Sequence, residues 1–326
     1  MILADKDKMR QQGSGGNMEI IRLNKDRKMR VLLCIIAAFC FITSSVYAGD
    51  LTEIRQRGVL RHLGIPYAHF VIDAKSGVRG LDVELMQLFA AYLGLEYEWI
   101  KTSWSDVFGD LTGQKVQSAA NGGVKIIGQT VIRGDIIANG LTILPWRKKI
   151  VMYSKPVFPT GVWLIARADS PIKPIEPSGD IVTDIQRVKD LLSGRSVLTM
   201  KGTCLDPGLY NLATTNADIR FHTASESLND IAPAVINGAA ESTLLDIPDA
   251  LVALQQWPGE IKIIGPVSHP QFMGVAVAKS SPALLSAFNL FFEELKVSGG
   301  YDELVRKYYP SVYLYLGDFF KSAKGE

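Results

Sequence analysis

The sequence contains little cysteine and little histidine, with three cysteines and four histidines among 326 residues. No CxxC pair occurs and no histidine pair has the spacing of an HExxH zinc motif, so the sequence predicts no metal site. It also has no GxGxxG motif and no P-loop, which argues against nucleotide binding. We therefore expect neither a cofactor nor a metal ion. The histidines are His62, His69, His222 and His269.

Long apolar runs are also absent, since the run from Val31 to Ile42 has only 12 residues. A transmembrane helix needs about 20. The run follows a basic segment at residues 27–30 and precedes Val46-Tyr47-Ala48, which fits a small-x-small cleavage site. This arrangement predicts a cleaved secretory signal within residues 1–48, with cleavage near Ala48 and export to the periplasm.

Two alternatives concern the same segment. The lead before the apolar run is longer than usual for a signal peptide, so Met18 or Met29 is a possible true start. A lipoprotein anchor is disfavoured, because neither Cys34 nor Cys40 follows the small residue expected before a lipidated cysteine.

Excess charge of either sign is missing as well. Without residues 1–48 the chain has 27 basic and 29 acidic residues, a net charge of −2. Such a balance, with no basic cluster, argues against nucleic acid as a partner. Only Cys204 then remains, so no internal disulfide is possible. No histidine or asparagine lies near Cys204 in sequence to activate it, and a buried free thiol is predicted.

The segment from Gly134 to Phe158 organises the rest of the chain. Ile136-Ile137-Ala138 has the character of a buried strand, and Thr142 and Arg147 follow its end. Ligands of open α/β sheets bind beyond the carboxyl ends of the strands. A guanidinium there can hold a carboxylate through two parallel hydrogen bonds.

This segment resembles the signature of the family 3 extracellular solute-binding proteins, the receptors of polar amino-acid ABC importers. It departs from the signature at Leu144, Trp146, Tyr153 and Phe158. The matching residues are Gly134, Asp135, Thr142, Arg147, Ser154 and Pro156.

The resemblance implies an α/β, two-lobe periplasmic binding protein fold of type II, in which each lobe is a mixed sheet flanked by helices. With 47% apolar residues the chain can build the cores of two lobes. We expect lobe 1 to comprise residues 49–165 and 265–326, and lobe 2 to comprise residues 166–264.

Residues 111–133 interrupt the resemblance. Two β-prone runs there, Val124–Ile127 and Thr130–Ile132, flank Gly128-Gln129, so we predict an inserted β-hairpin that turns at this dipeptide. Its place beside the binding strand is compatible with a lid over a ligand, and equally with a surface elaboration.

The resemblance implies further ligand-binding residues in lobe 1. The loop Gly64–Phe70 resembles the family's Tyr-x-Pro-Phe loop, whose aromatic covers the ligand, which makes Tyr67 and Phe70 candidates; ordinary core aromatics are the alternative. Asp82 precedes an apolar helical pattern and is predicted to cap that helix.

Two more candidate sites follow in lobe 2. Gly202-Thr203 precedes a turn with Asp206 as cap and Pro207 at the first helical position, where free N–H groups and a hydroxyl can meet an anion. Asp246 follows a short buried strand, and in the resembling family this position pairs with the ligand's α-ammonium; a helix cap before Pro248 is the alternative.

These residues predict a periplasmic, monomeric receptor that captures an amino acid or similar small zwitterion or carboxylate between its lobes and delivers it to an inner-membrane ABC permease, without catalytic residues. A cyclohexadienyl-dehydratase-like enzyme on the same fold is the first alternative, with Glu241 or Asp106 as the general acid it would need. A ligand-sensing module is the second.

Overall fold

The computed structural model describes residues 49–119 and 123–321. The predicted signal segment and its cleavage site therefore lie outside the described residues, as do three residues of the predicted insertion. The helices are α1 (Leu51–Arg57), α2 (Leu81–Leu93), α3 (Val107–Thr112), α4 (Pro145–Lys148), α5 (Ile181–Asp190), α6 (Ile231–Ile236), α7 (Ile247–Gln256), α8 (Pro282–Val297), α9 (Gly300–Tyr308) and α10 (Val312–Lys321).

The strands are short and are mostly built from apolar runs. In chain order they are β1 (Val59–Gly64), β2 (Ile72–Ala74), β3 (Gly77–Arg79), β4 (Glu96–Lys101), β5 (Gln114–Ala119), β6 (Gly123–Gln129), β7 (Ile136–Ile137), β8 (Val151–Tyr153), β9 (Phe158–Thr160), β10 (Val162–Arg167), β11 (Ser196–Thr199), β12 (Asp218–Phe221), β13 (Ser242–Asp246), β14 (Ile261–Pro266), β15 (Gln271–Met273) and β16 (Ala276–Ala278).

The first lobe is built on a five-stranded mixed sheet in the order β4-β1-β7-β16-β8. β1 pairs in parallel with β4 and with β7, whereas β16 is antiparallel to β7 and β8. Leu63, Ile136 and Ile137 are fully buried because helices cover both faces of this sheet. Since β1, β4 and β7 run in the same direction, their carboxyl ends meet at one edge, where a cleft begins.

The second lobe has its own five-stranded mixed sheet, in the order β12-β11-β13-β10-β14. β11 is parallel to β12 and β13, and β10 is antiparallel to β13 and β14. The predicted α/β architecture with two mixed sheets is thus confirmed. All of β10 belongs to this sheet, whereas the predicted lobe boundary between residues 165 and 166 falls inside it. We propose instead that lobe 2 begins near Gly161.

The chain passes between the lobes twice, and the two passages lie side by side. β9 precedes β10, β15 follows β14, and the two strands pair antiparallel, with Pro159 opposite Phe272. A two-stranded ribbon at such a crossing suits a hinge, because a few residues absorb the motion of two rigid sheets.

Three local predictions need correction. Asp82 does not cap α2: the N-cap position is Gly80, and no side chain caps this helix end. The hairpin in the insertion exists, but Gly128 and Gln129 lie within β6 rather than at its turn, and Thr130–Ile132 is not a strand. The turn of a hairpin can be located only when both of its strands are known. The prediction was wrong because the polar segment Gln114–Ala119 was not recognised as the partner strand β5.

No helix of residues 49–119 and 123–321 combines the length and the apolar character that crossing a bilayer requires.

Candidate functional site

Arg147 is the largest fully buried side chain of the described residues, and it lies in the four-residue helix α4. Pro145 is the first residue of this helix. Proline suits this position because its φ is fixed and it has no backbone N–H that would lack a partner. The guanidinium lies among the aromatic rings of Trp104, Phe108 and Trp146, with its central carbon 5.3 to 5.8 Å from the ring centroids. Aromatic faces attract a cation, which partly offsets its desolvation.

No carboxylate of the described residues forms a salt bridge with Arg147. Its Nη1 donates to the carbonyl oxygen of Thr142 at 3.0 Å. Its Nε and Nη2 have no hydrogen-bond partner, although both are buried. An unpaired buried charge is costly, so these atoms are available to a water molecule or a ligand from outside the chain. The geometry of Nε and Nη2 on one guanidinium edge fits a carboxylate.

Thr142 lies beside this guanidinium and adds a second unsatisfied group. Its side chain is 1% exposed, and its hydroxyl has no hydrogen-bond partner. Its backbone carbonyl accepts from Arg147 and also from the Tyr153 hydroxyl at 3.3 Å. Thr142 also forms a β-bridge with Met273 of the hinge ribbon, so the binding segment and the hinge are directly connected.

Asp246 ends β13 of the second lobe and is fully buried. Its Oδ2 accepts hydrogen bonds from the hydroxyl of Tyr67 at 3.0 Å and from the thiol of Cys204 at 2.9 Å, whereas its Oδ1 is buried without a partner. It occupies the N-cap position of α7 but makes no capping hydrogen bond with its side chain. The carboxylate is therefore directed to the space between the lobes rather than to the helix.

The electrostatics of Asp246 reflect this buried position. Burial raises its pKa to about 6, while hydrogen bonds from Cys204 and Tyr67 and the charge of Arg147 act in the opposite direction. Burial and the neighbouring Asp246 charge also raise the pKa of Asp249 well above its usual range. The charge of Arg147 in lobe 1 thus favours the ionised form of Asp246 in lobe 2.

Tyr67 links the two lobes. Its ring packs against Trp104 and Phe70, with centroids 6.1 Å away in both cases, and its hydroxyl reaches Asp246 on the other lobe. The next residue, Ala68, has a positive φ of 44° and donates its N–H to Oδ1 of Asn229 in the second lobe at 2.8 Å. The lobes are thus in contact across this loop.

Phe70 lies deeper than Tyr67. It is fully buried, and its ring contacts Phe158 at 5.2 Å and Tyr309 at 4.9 Å between centroids. Gly140 also lies against the ring, where an added Cβ would be only 2.5 Å from Phe70 Cδ2. This packing favours the core role of Phe70, which then supports Tyr67 from behind.

The Gly202-Thr203 turn differs from the expectation of free donors. The Gly202 N–H donates to Oδ2 of Asp206 at 3.0 Å. The Thr203 hydroxyl donates to the carbonyl of Met200 at 2.9 Å and accepts from Leu205 N–H at 3.0 Å. The helix that follows is a single 3-10 turn, Pro207–Tyr210, with Asp206 as its cap. These groups stabilise the turn itself, although Thr203 borders the cleft.

Asp82 connects a core helix to the binding segment. It is buried in α2, and its Oδ2 accepts from the N–H of Gly140 at 2.7 Å. Gly140 has a positive φ of 64°, a conformation that suits glycine, and it lies two residues before Thr142. Burial raises the pKa of Asp82 to about 7. The role of Asp82 is structural, as expected, but it acts on the turn that leads into the site.

Cys204 is a free, buried thiol, as predicted. Its contact with Asp246 was not foreseen, and burial together with the negative charge of Asp246 raises the pKa of the thiol well above its usual range. A thiol held in the protonated form is a poor nucleophile. Sequence analysis did not identify Trp104, Phe108 or Asn229 as residues of the site. The only signal concerned Trp104 and Phe108, which lie near the start of α3.

A cavity of about 710 Å³ lies between the two lobes, and the three aromatic rings around the Arg147 guanidinium line it. Trp104, Phe108 and Trp146 line it on the first lobe, and Met200 and Thr203 line it on the second. Its size lies within the range of small-molecule sites, about 300 to 1,000 Å³. Residues 49–119 and 123–321 contain no group of three or more side chains arranged to hold a metal ion.

The two candidate general acids lie away from Asp246. Glu241 precedes β13, whereas Asp246 ends it, and Glu241 forms a salt bridge with Arg195 at 3.2 Å. Asp106 is half-exposed and accepts from the hydroxyls of Ser103 and Ser105. Both carboxylates thus have local structural partners.

Comparison with known proteins identifies a protein family that this chain matches. The sequence model of the bacterial extracellular solute-binding proteins, family 3, matches residues 130–311, more than half of the chain. Among curated proteins, the L-cystine-binding protein TcyJ of Escherichia coli (strain K12) is 23% identical over 296 residues, which cover 90% of this chain and 98% of TcyJ.

Two further relatives mark the range of the similarity. The membrane-bound lytic murein transglycosylase F of Desulfosudis oleivorans is 25% identical over 81% of this chain, and the chain spans about half, 51%, of that protein's length. A crystal structure of a mutant of ArgBP from T. maritima superimposes with a TM-score of 0.62 at 25% identity, covering 80% of this chain and 99% of that one.

Proposed function

Because this chain belongs to family 3 of the bacterial extracellular solute-binding proteins, we propose that the solute it binds is an amino acid or a similar small zwitterion, held between its lobes. One observation carries this proposal: a fully buried guanidinium and a fully buried carboxylate come from opposite lobes, and each retains a polar atom without a partner. A ligand with one acidic and one basic end would satisfy both.

Each group has a distinct role in this proposal. Nε and Nη2 of Arg147 donate to the ligand's carboxylate, and the Thr142 hydroxyl adds a third donor. Oδ1 of Asp246 accepts from the ligand's ammonium. Tyr67 orients Asp246 and covers the ligand, and the Gly202-Thr203 turn borders the carboxylate end. Charge-assisted hydrogen bonds in a closed, dry site are stronger than in water.

Closure of the lobes follows from the same contacts. A ligand that bridges Arg147 and Asp246 interacts with both lobes only when the cleft is closed, so it favours the closed state by its differential affinity. The hinge ribbon of β9 and β15 permits this movement with few changes elsewhere. TcyJ, a relative along almost its whole length, is named for binding L-cystine, which supports an amino-acid ligand.

The cellular setting is part of the proposal. The apolar run at residues 31–42 and the Ala48 cleavage site support export to the periplasm. The closed, ligand-loaded monomer then delivers its solute to an inner-membrane ABC permease. In this proposal the protein has no catalytic activity. The two candidate general acids already have partners, since Glu241 forms a salt bridge with Arg195 and Asp106 accepts hydrogen bonds from serine hydroxyls.

A thermal-shift screen of the purified protein against the L-amino acids, small dicarboxylates and prephenate tests this function. A ligand at 100 times its dissociation constant adds about 2.7 kcal/mol to the free energy of unfolding. We expect at least one L-amino acid to give such a shift, and neither its decarboxylated amine nor its deaminated acid to do so. Turnover of prephenate, or stabilisation only by ligands without an ammonium group, would overturn the proposal.

A further inference from the structure

The inserted hairpin of β5 and β6 faces the cleft with one of its two sides. β5 and β6 pair antiparallel from Gln114 opposite Gln129 to Ala119 opposite Gly123. Gln117 and Ser118 of β5 and Ile127 of β6 line the cavity between the lobes. The hairpin is therefore one wall of that cavity.

A β-bulge directs Ile127 into the cavity. Lys115 pairs with Gly128 and Val116 pairs with Ile126, so Ile127 lies between two paired residues and has no partner of its own. Bulges re-aim a side chain and occur often beside functional sites. Ile126, the preceding residue, lies on the opposite side of the hairpin with Lys149 and Ala278.

The wall so formed is apolar where it adjoins the proposed amino-acid site. Trp104, Phe108 and Trp146, the rings that surround the Arg147 guanidinium, continue outward to Ile127 along the same cavity. Ile127 is 56% exposed, so its side chain is accessible to a ligand in this cavity.

The opposite wall is polar and carries charges of both signs. The Asp206 carboxylate accepts from the N–H groups of Gly202 and Gly208, and Oε2 of Glu226 accepts from the Ser105 hydroxyl at 3.1 Å. Lys201 contributes a positive charge there, with its Nζ 4.3 Å from the centroid of the Phe221 ring. The apolar part of the cavity is therefore the side formed by the aromatic rings and Ile127.

We propose that the hairpin forms a side-chain subsite for an L-amino acid with a large apolar or aromatic side chain, and that Ile127 is a specificity-determining residue. This inference rests on the proposed function, since the ligand's carboxylate and ammonium must first be held by Arg147 and Asp246. The side chain then extends along the aromatic rings towards the hairpin. Burial of its apolar surface against Ile127 provides the preference for size.

The chain supplies a matched control. Ile126 and Ile127 are adjacent and are 58% and 56% exposed, so Ile126→Ser and Ile127→Ser remove the same apolar surface from the same hairpin, on opposite sides. The two substitutions should change the melting temperature equally. Thermal unfolding of both variants without added ligand checks this. Isothermal titration of wild type and both variants, purified after expression of the full chain, then uses L-tryptophan, L-phenylalanine, L-alanine and L-arginine.

We expect wild type to bind L-tryptophan or L-phenylalanine at least tenfold more tightly than L-alanine, and more tightly than L-arginine. Ile127→Ser should weaken binding of the aromatic amino acid about tenfold, because an apolar contact of several carbons is lost. It should leave L-alanine unchanged, and Ile126→Ser should alter neither ligand.

The outcomes separate the two proposals. Preference for L-alanine or L-arginine, or equal effects of the two serine variants, overturns the subsite while the zwitterion site stands. If none of the four amino acids binds and the wider L-amino-acid screen also gives no shift, the proposed function fails, and the subsite with it.

Discussion

Replacing Arg147 by methionine tests the main contact of the proposed site. Arg147 is fully buried, and its Nε and Nη2 have no hydrogen-bond partner among the described residues. Methionine is long, flexible and apolar, so it can occupy the space between the aromatic rings. Lys148→Met is the matched control, because it removes one positive charge from the same helix at an exposed position.

The magnitude follows from the two missing hydrogen bonds. Each bond to a charged group contributes about 1.5 to 3 kcal/mol, so the loss of both costs about 3 to 6 kcal/mol of binding free energy. Since about 1.4 kcal/mol corresponds to a factor of ten, the dissociation constant of an L-amino acid should rise by about 10² to 10⁴. Lys148→Met should change it less than twofold.

Thermal unfolding with the ligand fixed at 100 times the wild-type dissociation constant shows the difference. Wild type gains about 2.7 kcal/mol from the ligand, whereas a variant that binds 100-fold more weakly gains about 0.4 kcal/mol. The ligand-free variant should melt close to wild type, because an unpaired buried charge is replaced by an apolar group. If Arg147→Met keeps the full ligand shift, or if Lys148→Met loses it, the assignment of the carboxylate site is refuted.

Three further variants test other contacts. Asp246, with its pKa raised to about 6, must be ionised to hold an ammonium, so affinity should fall about fivefold from pH 6 to pH 5 in titration calorimetry. Asp246→Asn should bind weakly with a flat pH profile. Tyr67→Phe removes the hydrogen bond between the lobes, and a larger radius of gyration of the ligand-free protein in solution scattering is expected; an unchanged radius contradicts this role. Asp82→Ala leaves the Gly140 N–H without its acceptor, so the free energy of unfolding measured in urea should fall by about 1 to 3 kcal/mol. The control Asp73→Ala removes an exposed ion pair and should lower the free energy of unfolding by less than about 1 kcal/mol.

The elements of the fold were largely predictable from local patterns. The segment around Arg147 indicated the family, to which the chain belongs, and the resemblance implied an α/β protein. Pro248 marked a helix start that the structure contains. These features depend on residues close together in sequence, where propensity and periodicity carry the signal.

The failures arise where a group pairs with a partner that the local pattern does not reveal. Asp82 has the sequence position of a helix cap, but its partner is Gly140, far away in the chain. The hairpin in the insertion was predicted with the wrong turn, because β5 is polar and gives no clear period-2 pattern. The donors of the Gly202-Thr203 turn were expected to be free, but Asp206 and the Met200 carbonyl engage them.

The sequence by itself determined the α/β class, the binding segment and the chemical types of its charged residues, because these depend on short motifs. Packing, by contrast, is what leaves Arg147 and Asp246 both buried with unpaired polar atoms, and what turns Ile127 rather than Ile126 towards the cavity between the lobes. The physical reason is that burial and hydrogen-bond satisfaction depend on which distant segments meet. A local pattern fixes which groups are present, and packing fixes which of them remain available to a ligand.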